Sequence, residues 1–138
     1  MIIYYTDGSC SPNPGPGGFS VIKDGRPHIL GRDPDSTNIR MEGRAFIEAL
    51  KDADGQECEI HSDSEFWIKV ITEWSLPWER NGWKKKGGPI KNLDLVQEVC
   101  GLYRKSQAKL IWVKAHNEDR LNEMADEWAN NARAGQTI

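Results

Sequence analysis

Four acidic residues from distant segments could converge on one edge of a sheet: Asp7, Glu42, Asp63 and Asp126. Carboxylates gathered in one place cannot all stay ionised unaided, because like charges at close range raise one another's pKa. Divalent cations relieve that conflict, and all-oxygen ligation selects Mg²⁺ or Mn²⁺ over softer metals. Two such ions about 3.5–4 Å apart clamp a phosphodiester, so the chemistry open to these residues is metal-assisted phosphoryl transfer. Taken singly, each acid reads first as a solvated surface charge. Spacing alone does not bring the four together.

The elements that must position them follow from periodicity and punctuation. Ile2–Thr6 alternates as a first strand, ended by Asp7-Gly8. Ser11–Gly18 carries three prolines and three glycines and reads as a loop. Phe19–Lys23 and Pro27–Gly31 flank Asp24-Gly25, a hairpin turn of the favoured type. Arg40–Ala53 has a helical stripe, with Glu42 in its first turn and off the Ala45/Ala49 face. Glu57–His61 is a short strand that delivers Asp63 to its carboxyl end, where open α/β sheets place their sites. Ser64–Trp74 reads as a helix with a possible capping box from Ser62 to Glu65. Leu93–Arg104 is a helix started by Asn92, Lys109–Lys114 alternates as a strand, and a last helix buries Leu121, Met124, Ala125, Trp128, Ala129 and Ala132. The expected architecture is an α/β fold: a five-stranded mixed sheet, three antiparallel strands then two parallel, flanked by helices.

With 138 residues the chain is expected to form one domain, 1–138, with a flexible tail at 135–138. It has no long apolar run and opens on a strand-like stretch without a signal-peptide pattern, so neither membrane insertion nor export is expected. Cys10, Cys58 and Cys100 are an odd count without a C-x-x-C pair, which points to free thiols in a reducing cytoplasm. A net charge of −3 argues against a surface that grips nucleic acid everywhere. The distribution is uneven, however: Arg80, Lys84, Lys85, Lys86 and Lys91 lie in a stretch with no acid, leaving 13 basic residues against 21 acidic ones elsewhere. Residues 75–91 are therefore expected to form a basic helical insertion in an acidic body.

Several segments together resemble type 1 ribonuclease H of the bacterial kind with a basic protrusion. Tyr5-Thr6-Asp7-Gly8-Ser9-Cys10 followed by Asn13-Pro14-Gly15-Pro16-Gly17-Gly18 is similar to that family's opening motif, and Thr37-Asn38-Ile39-Arg40-Met41-Glu42 to its second. His61-Ser62-Asp63-Ser64 resembles the third, and Trp112-Val113-Lys114-Ala115-His116 with Asn122-Glu123-Met124-Ala125-Asp126 the fourth. The resemblance implies a monomeric, cytoplasmic endoribonuclease that hydrolyses the RNA strand of RNA–DNA hybrids with little sequence preference, leaving 5′-phosphate and 3′-hydroxyl ends. It implies two Mg²⁺ ions, replaceable by Mn²⁺, held by Asp7, Glu42, Asp63 and Asp126. His116 matches a histidine assigned to proton transfer or product release, a role that suits an unperturbed pKa near about 6.5.

For substrate contacts the resemblance implies Gly8, Ser9, Asn13 and Asn38 on the RNA minor groove, where the 2′-hydroxyl identifies the strand to cut. It implies Thr37 and Asn13 at a DNA phosphate, Arg40 adding charge, and Asn122 helping to orient the site. Trp78, Trp83 and Lys84–Lys86 match the family's basic arm, although Trp74 and Trp78 serve equally well as core anchors. Ile39 and Glu65 depart from the family pattern, which commonly has polar, uncharged residues there. A different metal nuclease of the same broad fold is expected to lack the Asn13–Gly18 loop and the basic insertion. A non-catalytic hybrid-binding module is expected to have lost acids that are all retained here.

Overall fold

β1 (Ile2–Cys10), β2 (Gly15–Lys23) and β3 (Arg26–Ser36) form an antiparallel meander in this computed structural model, which describes residues 1–115 and 117–138. α1 (Asn38–Ala53) follows, its start closed by the Thr37 hydroxyl, which accepts from the Arg40 N–H at 3.2 Å. β4 (Glu57–Ser62) pairs parallel to β1 and β7 (Gln107–Trp112) parallel to β4, giving the strand order β3-β2-β1-β4-β7. Between β4 and β7 lie α2 (Glu65–Lys69), a π-helical turn (Val70–Trp74), α3 (Ser75–Arg80), the two-residue strands β5 (Lys84–Lys85) and β6 (Gly88–Pro89), and α4 (Leu93–Arg104). α5 (Arg120–Arg133) ends the fold. The expected five-stranded mixed sheet flanked by helices is what forms.

Adjacent strand residues face opposite sides of a sheet, and Tyr4 and Tyr5 show which helix covers each side. Tyr4 joins the larger core with Phe46 and Leu50 of α1, Trp67, Val96 and Val99. Tyr5 packs on the other side with Ile22 and Ala125 of α5. The inner face of α5 is built on Ala125, Ala129 and Ala132, small enough to let the helix settle close on β1 and β2. Among the described residues no helix is long and apolar enough to cross a membrane.

Several expected boundaries move, each for a tertiary reason. β1 does not end at Asp7-Gly8 but runs to Cys10, because Asp7 pairs with Ser20, Gly8 with Phe19 and Ser9 with Gly18. The second half of the expected Ser11–Gly18 loop is strand, since glycines retain the N–H that prolines lack. Their small size is required there: a Cβ on Gly18 would lie 2.3 Å from the Arg133 nitrogen, and one on Gly17 2.7 Å from the Met41 side chain. Glu42 falls just past the first turn of α1 because the helix starts at Asn38. The helix expected at 64–74 is interrupted by the π-helical turn, and Ser64 rather than Ser62 caps it, accepting from Trp67 N–H at 3.3 Å.

The 75–91 insertion is helical only to Arg80. Gly82, Gly87 and Gly88 adopt positive φ, which favours turns over helix, and the lysine run sits on the β5–β6 hairpin. Asn92 precedes α4 in a left-handed conformation and makes no side-chain cap.

Candidate active site

The parallel register of β1 and β4 creates the site. Its last pair is Tyr5 opposite His61, and two residues further along each chain stand Asp7 and Asp63. Asp7 stays in the ladder with β2, while the chain at Asp63 leaves β4 and turns into α2. A notch opens at this divergence. α1 brings Glu42 to it from one face of the sheet, where Gly8 allows close approach: a Cβ on Gly8 would lie 2.3 Å from the Glu42 nitrogen. α5 brings Asp126 from the other. One carboxylate oxygen each from Asp7, Glu42 and Asp63 lies within 4.8 Å of the others, and Asp126 is hydrogen-bonded to Asp7. The four acids, with Gly8, Ser9, Asn38, Asn122 and Glu123, line a cavity of about 260 Å³.

Electrostatics in this notch are strained. Asp7 is only 6% exposed. Burial holds its carboxyl well above the ordinary carboxylate range, and the charges of Asp63 and Asp126, the hydrogen bond with Asp126 and the charge of Glu42 all push the same way. Burial likewise pushes Glu42 up to about 7, against the opposing hydrogen bond from Ser64 and with the charge of Asp63. Two carboxyl groups within hydrogen-bond reach must share a proton unless a cation replaces it. The donors are all carboxylate oxygens, a set that fits a hard divalent ion such as Mg²⁺ or Mn²⁺.

Around the acids the other expected residues divide. Asn122 is 4% exposed, and its amide donates to Asp63 at 3.4 Å while its own Oδ1 is buried without a hydrogen-bond partner among the described residues. Asn38 accepts from the Cys10 N–H at 2.6 Å, and the Asn38 N–H donates to Asn13 Oδ1 at 3.2 Å, tying the proline-rich loop to the start of α1. Asn13 and Thr37 line a separate, larger cavity with Lys91 and Asn92. Arg40 points elsewhere. Its guanidinium makes two hydrogen bonds to the Asp94 carboxylate, at 2.8 and 3.1 Å, and a third to Asn92 at 3.2 Å, so its charge is largely engaged by α4.

Trp78 and Trp83 are partly buried against the core, and Trp78 packs beside the more exposed Trp74 with ring centroids 5.9 Å apart. Lys84, Lys85 and Lys86 are exposed on the hairpin, outside the acidic notch. Glu65 turns to solvent and pairs with Lys69 at 3.0 Å, and Ile39 packs on the core. His116 lies outside the described residues.

Three participants escaped the sequence reading. Ser64 donates to Glu42 at 2.7 Å, a role that only its adjacency to Asp63 hinted at. Glu123 lies three residues before Asp126, close to one helical turn, so the helix period could have flagged it. Lys91 was visible only as one charge in a basic stretch.

Residues 1–134 match the family described as RNase H. The chain is 42% identical to a ribonuclease HI of Xylella fastidiosa (strain Temecula1 / ATCC 700964), across 99% of this chain and 94% of that protein. A ribonuclease H of Syntrophomonas wolfei is 44% identical, across 95% of this chain and 94% of its own. Among solved structures, that of LC9-RNase H1, a type 1 RNase H with the type 2 active-site motif, superposes with a TM-score of 0.85 at 29% identity, covering 99% of this chain and 73% of that one.

Proposed function

The chain belongs to the RNase H family, hydrolases that cut the RNA strand of RNA–DNA hybrids, and from that premise we propose that it works by two-metal-ion catalysis at Asp7, Glu42, Asp63 and Asp126. The observation that carries this reading is the approach of three carboxylates to within 4.8 Å, beside a fourth bonded to Asp7. Magnesium, when bound, supplies Lewis acidity at the phosphodiester and lowers the pKa of the attacking water. Asp7 from β1, Asp63 from the turn that follows β4, and Glu42 and Asp126 from the two flanking helices would hold the ions. Asn122 orients Asp63 through its amide. Attack on phosphorus with departure of the 3′-oxygen leaves a 5′-phosphate and a 3′-hydroxyl, and His116 exchanges the protons this requires.

The hybrid is read without base contacts, so little sequence preference follows. Gly8, Ser9 and Asn38 meet the RNA minor groove beside the acids. Asn13 and Thr37 receive a DNA phosphate in the cavity they share with Lys91. Lys84–Lys86 contact phosphates further along the duplex, with Trp78 and Trp83 seating the arm that carries them. Arg40 adds little charge to these contacts, because it is paired with Asp94. The enzyme acts as a cytoplasmic monomer, one domain over 1–138 with 75–91 as its arm and 135–138 as a tail.

A labelled-hybrid assay with matched RNA–RNA and DNA–DNA duplexes, with and without Mg²⁺, tests the proposal. Metal-dependent cleavage confined to the RNA of the hybrid is expected. Cleavage that survives chelation, or that extends equally to double-stranded RNA, would sink it.

A further inference from the structure

α5 meets β1 in two successive rungs. On the first, Asp126 bonds to Asp7. One turn along the helix and two residues along the strand, Ser9 Oγ lies 2.5 Å from Asn130 Oδ1. The rung is held tightly, because β2 brings Gly18 opposite Ser9 and a Cβ there would lie 2.5 Å from the Ala129 carbonyl. The identity of the Asn130 atom is decided by a third residue: the Arg133 guanidinium, which can only donate, sits 3.3 Å from the same Oδ1. With the amide oxygen turned to Arg133 and Ser9, the serine hydroxyl must spend its single proton on Asn130. Ser9 lines the cavity with the acids, and any contact its hydroxyl makes there is made as an acceptor.

We infer that Asn130, itself oriented by Arg133, is a positioning residue that makes Ser9 an obligatory hydrogen-bond acceptor and so a reader of the ribose 2′-hydroxyl as a donor. The inference rests on the proposed placement of Ser9 at the RNA minor groove and sharpens it. A 2′-hydroxyl can donate to Ser9; a deoxyribose 2′-hydrogen cannot. A freely rotating serine would lose this selectivity, since it could equally donate to an acceptor on the substrate.

The discriminating substrate is a hybrid whose RNA strand carries a single 2′-fluoro nucleotide, stepped through the positions flanking the cut. Fluorine keeps a ribose-like pucker and weak acceptor character but removes the donor. For the unaltered enzyme kcat/KM is expected to fall about tenfold at one position, the scale of one missing hydrogen bond. In Asn130→Leu the penalty at that position is expected to shrink to within about threefold, because Ser9 is free to turn. Asn130→Asp, which keeps an acceptor oxygen beside Arg133, is expected to retain the penalty. Ser9→Ala, which leaves the helix untouched, is expected to lose it.

A full fluorine penalty in folded Asn130→Leu, or in Ser9→Ala should the leucine variant not fold, would overturn the inference while leaving the proposed function intact. An unaltered enzyme that cuts no hybrid would overturn both.

Discussion

The Ser64 hydroxyl accepts from the Trp67 N–H at 3.3 Å and donates to Glu42 at 2.7 Å, so one side chain both starts α2 and aims a candidate metal ligand. Ser64→Ala is expected to cost about 1 kcal/mol through removal of a helix cap, visible as a lower Tm. It also removes the hydrogen bond that holds the Glu42 pKa down. The acidic limb of the kcat/KM–pH profile is therefore expected to move to higher pH. A limb that stays in place would mean Ser64 is only a cap.

The metal-free protein is expected to lose stability as pH rises. Glu42 has a folded pKa of about 7 against an ordinary 4.5, so the folded state binds this proton the more tightly. Its stabilising contribution is complete below pH 4.5 and is lost as pH climbs through about 7. Asp7 shifts in the same direction. At about 1.4 kcal/mol per pH unit, Glu42 alone accounts for up to about 3 kcal/mol, on the order of 10 °C in Tm for a domain of this size. Asp52 has the opposite sign. Burial would raise it, but hydrogen bonds from Tyr4, Lys23 and His28 bring it down to about 2. Its contribution is present above the ordinary value of 3.8 and lost as pH falls through about 2. Thermal melts in chelator from about pH 2 to 8, repeated with excess Mg²⁺, test this; the loss above pH 5 is expected to vanish with the metal.

Asp7→Asn separates stability from catalysis. Removing a buried charge from the cluster is expected to raise the metal-free Tm at pH 8. Cleavage is expected to drop by more than the roughly 10–100-fold typical of residues that merely support a ligand, with hybrid binding retained. Undiminished turnover would remove Asp7 from the metal site.

Gly18→Ala tests the seat of α5. With Arg133 N 2.3 Å from the new Cβ, the helix must lift. The expected cost is about 1–3 kcal/mol of overpacking, with up to about 100-fold in kcat if Asp126 moves by 1 Å. Normal kcat in a destabilised protein would show that α5 can yield without disturbing its acid.

Replacing Lys84–Lys86 with alanine is expected to raise KM with a smaller change in kcat. The slope of log KM against log salt is expected to flatten by about 1–3, near 0.9 for each phosphate that is no longer neutralised. An unchanged slope would place the hairpin off the duplex.

Local chemistry was legible in the amino-acid order. Period-3.6 stripes marked α1 and α5, Asp24-Gly25 marked the first hairpin, and the four acids with their neighbouring motifs marked the site, because each signal lies within a few consecutive residues. Register and helix seating were not legible. Nothing near Asp7 in the chain reveals that Tyr5 stands opposite His61, and therefore that Asp7 and Asp63 sit level at the notch. Gly17 and Gly18 read as loop because their reason for being small lies in Met41 and in the last turns of α5, more than twenty and more than a hundred residues away. Arg40 reads as a free charge along the chain, and only the fold sets Asp94 across from it. Propensity and motif are properties of short stretches; pairing, close approach and charge compensation belong to residues that only folding brings together.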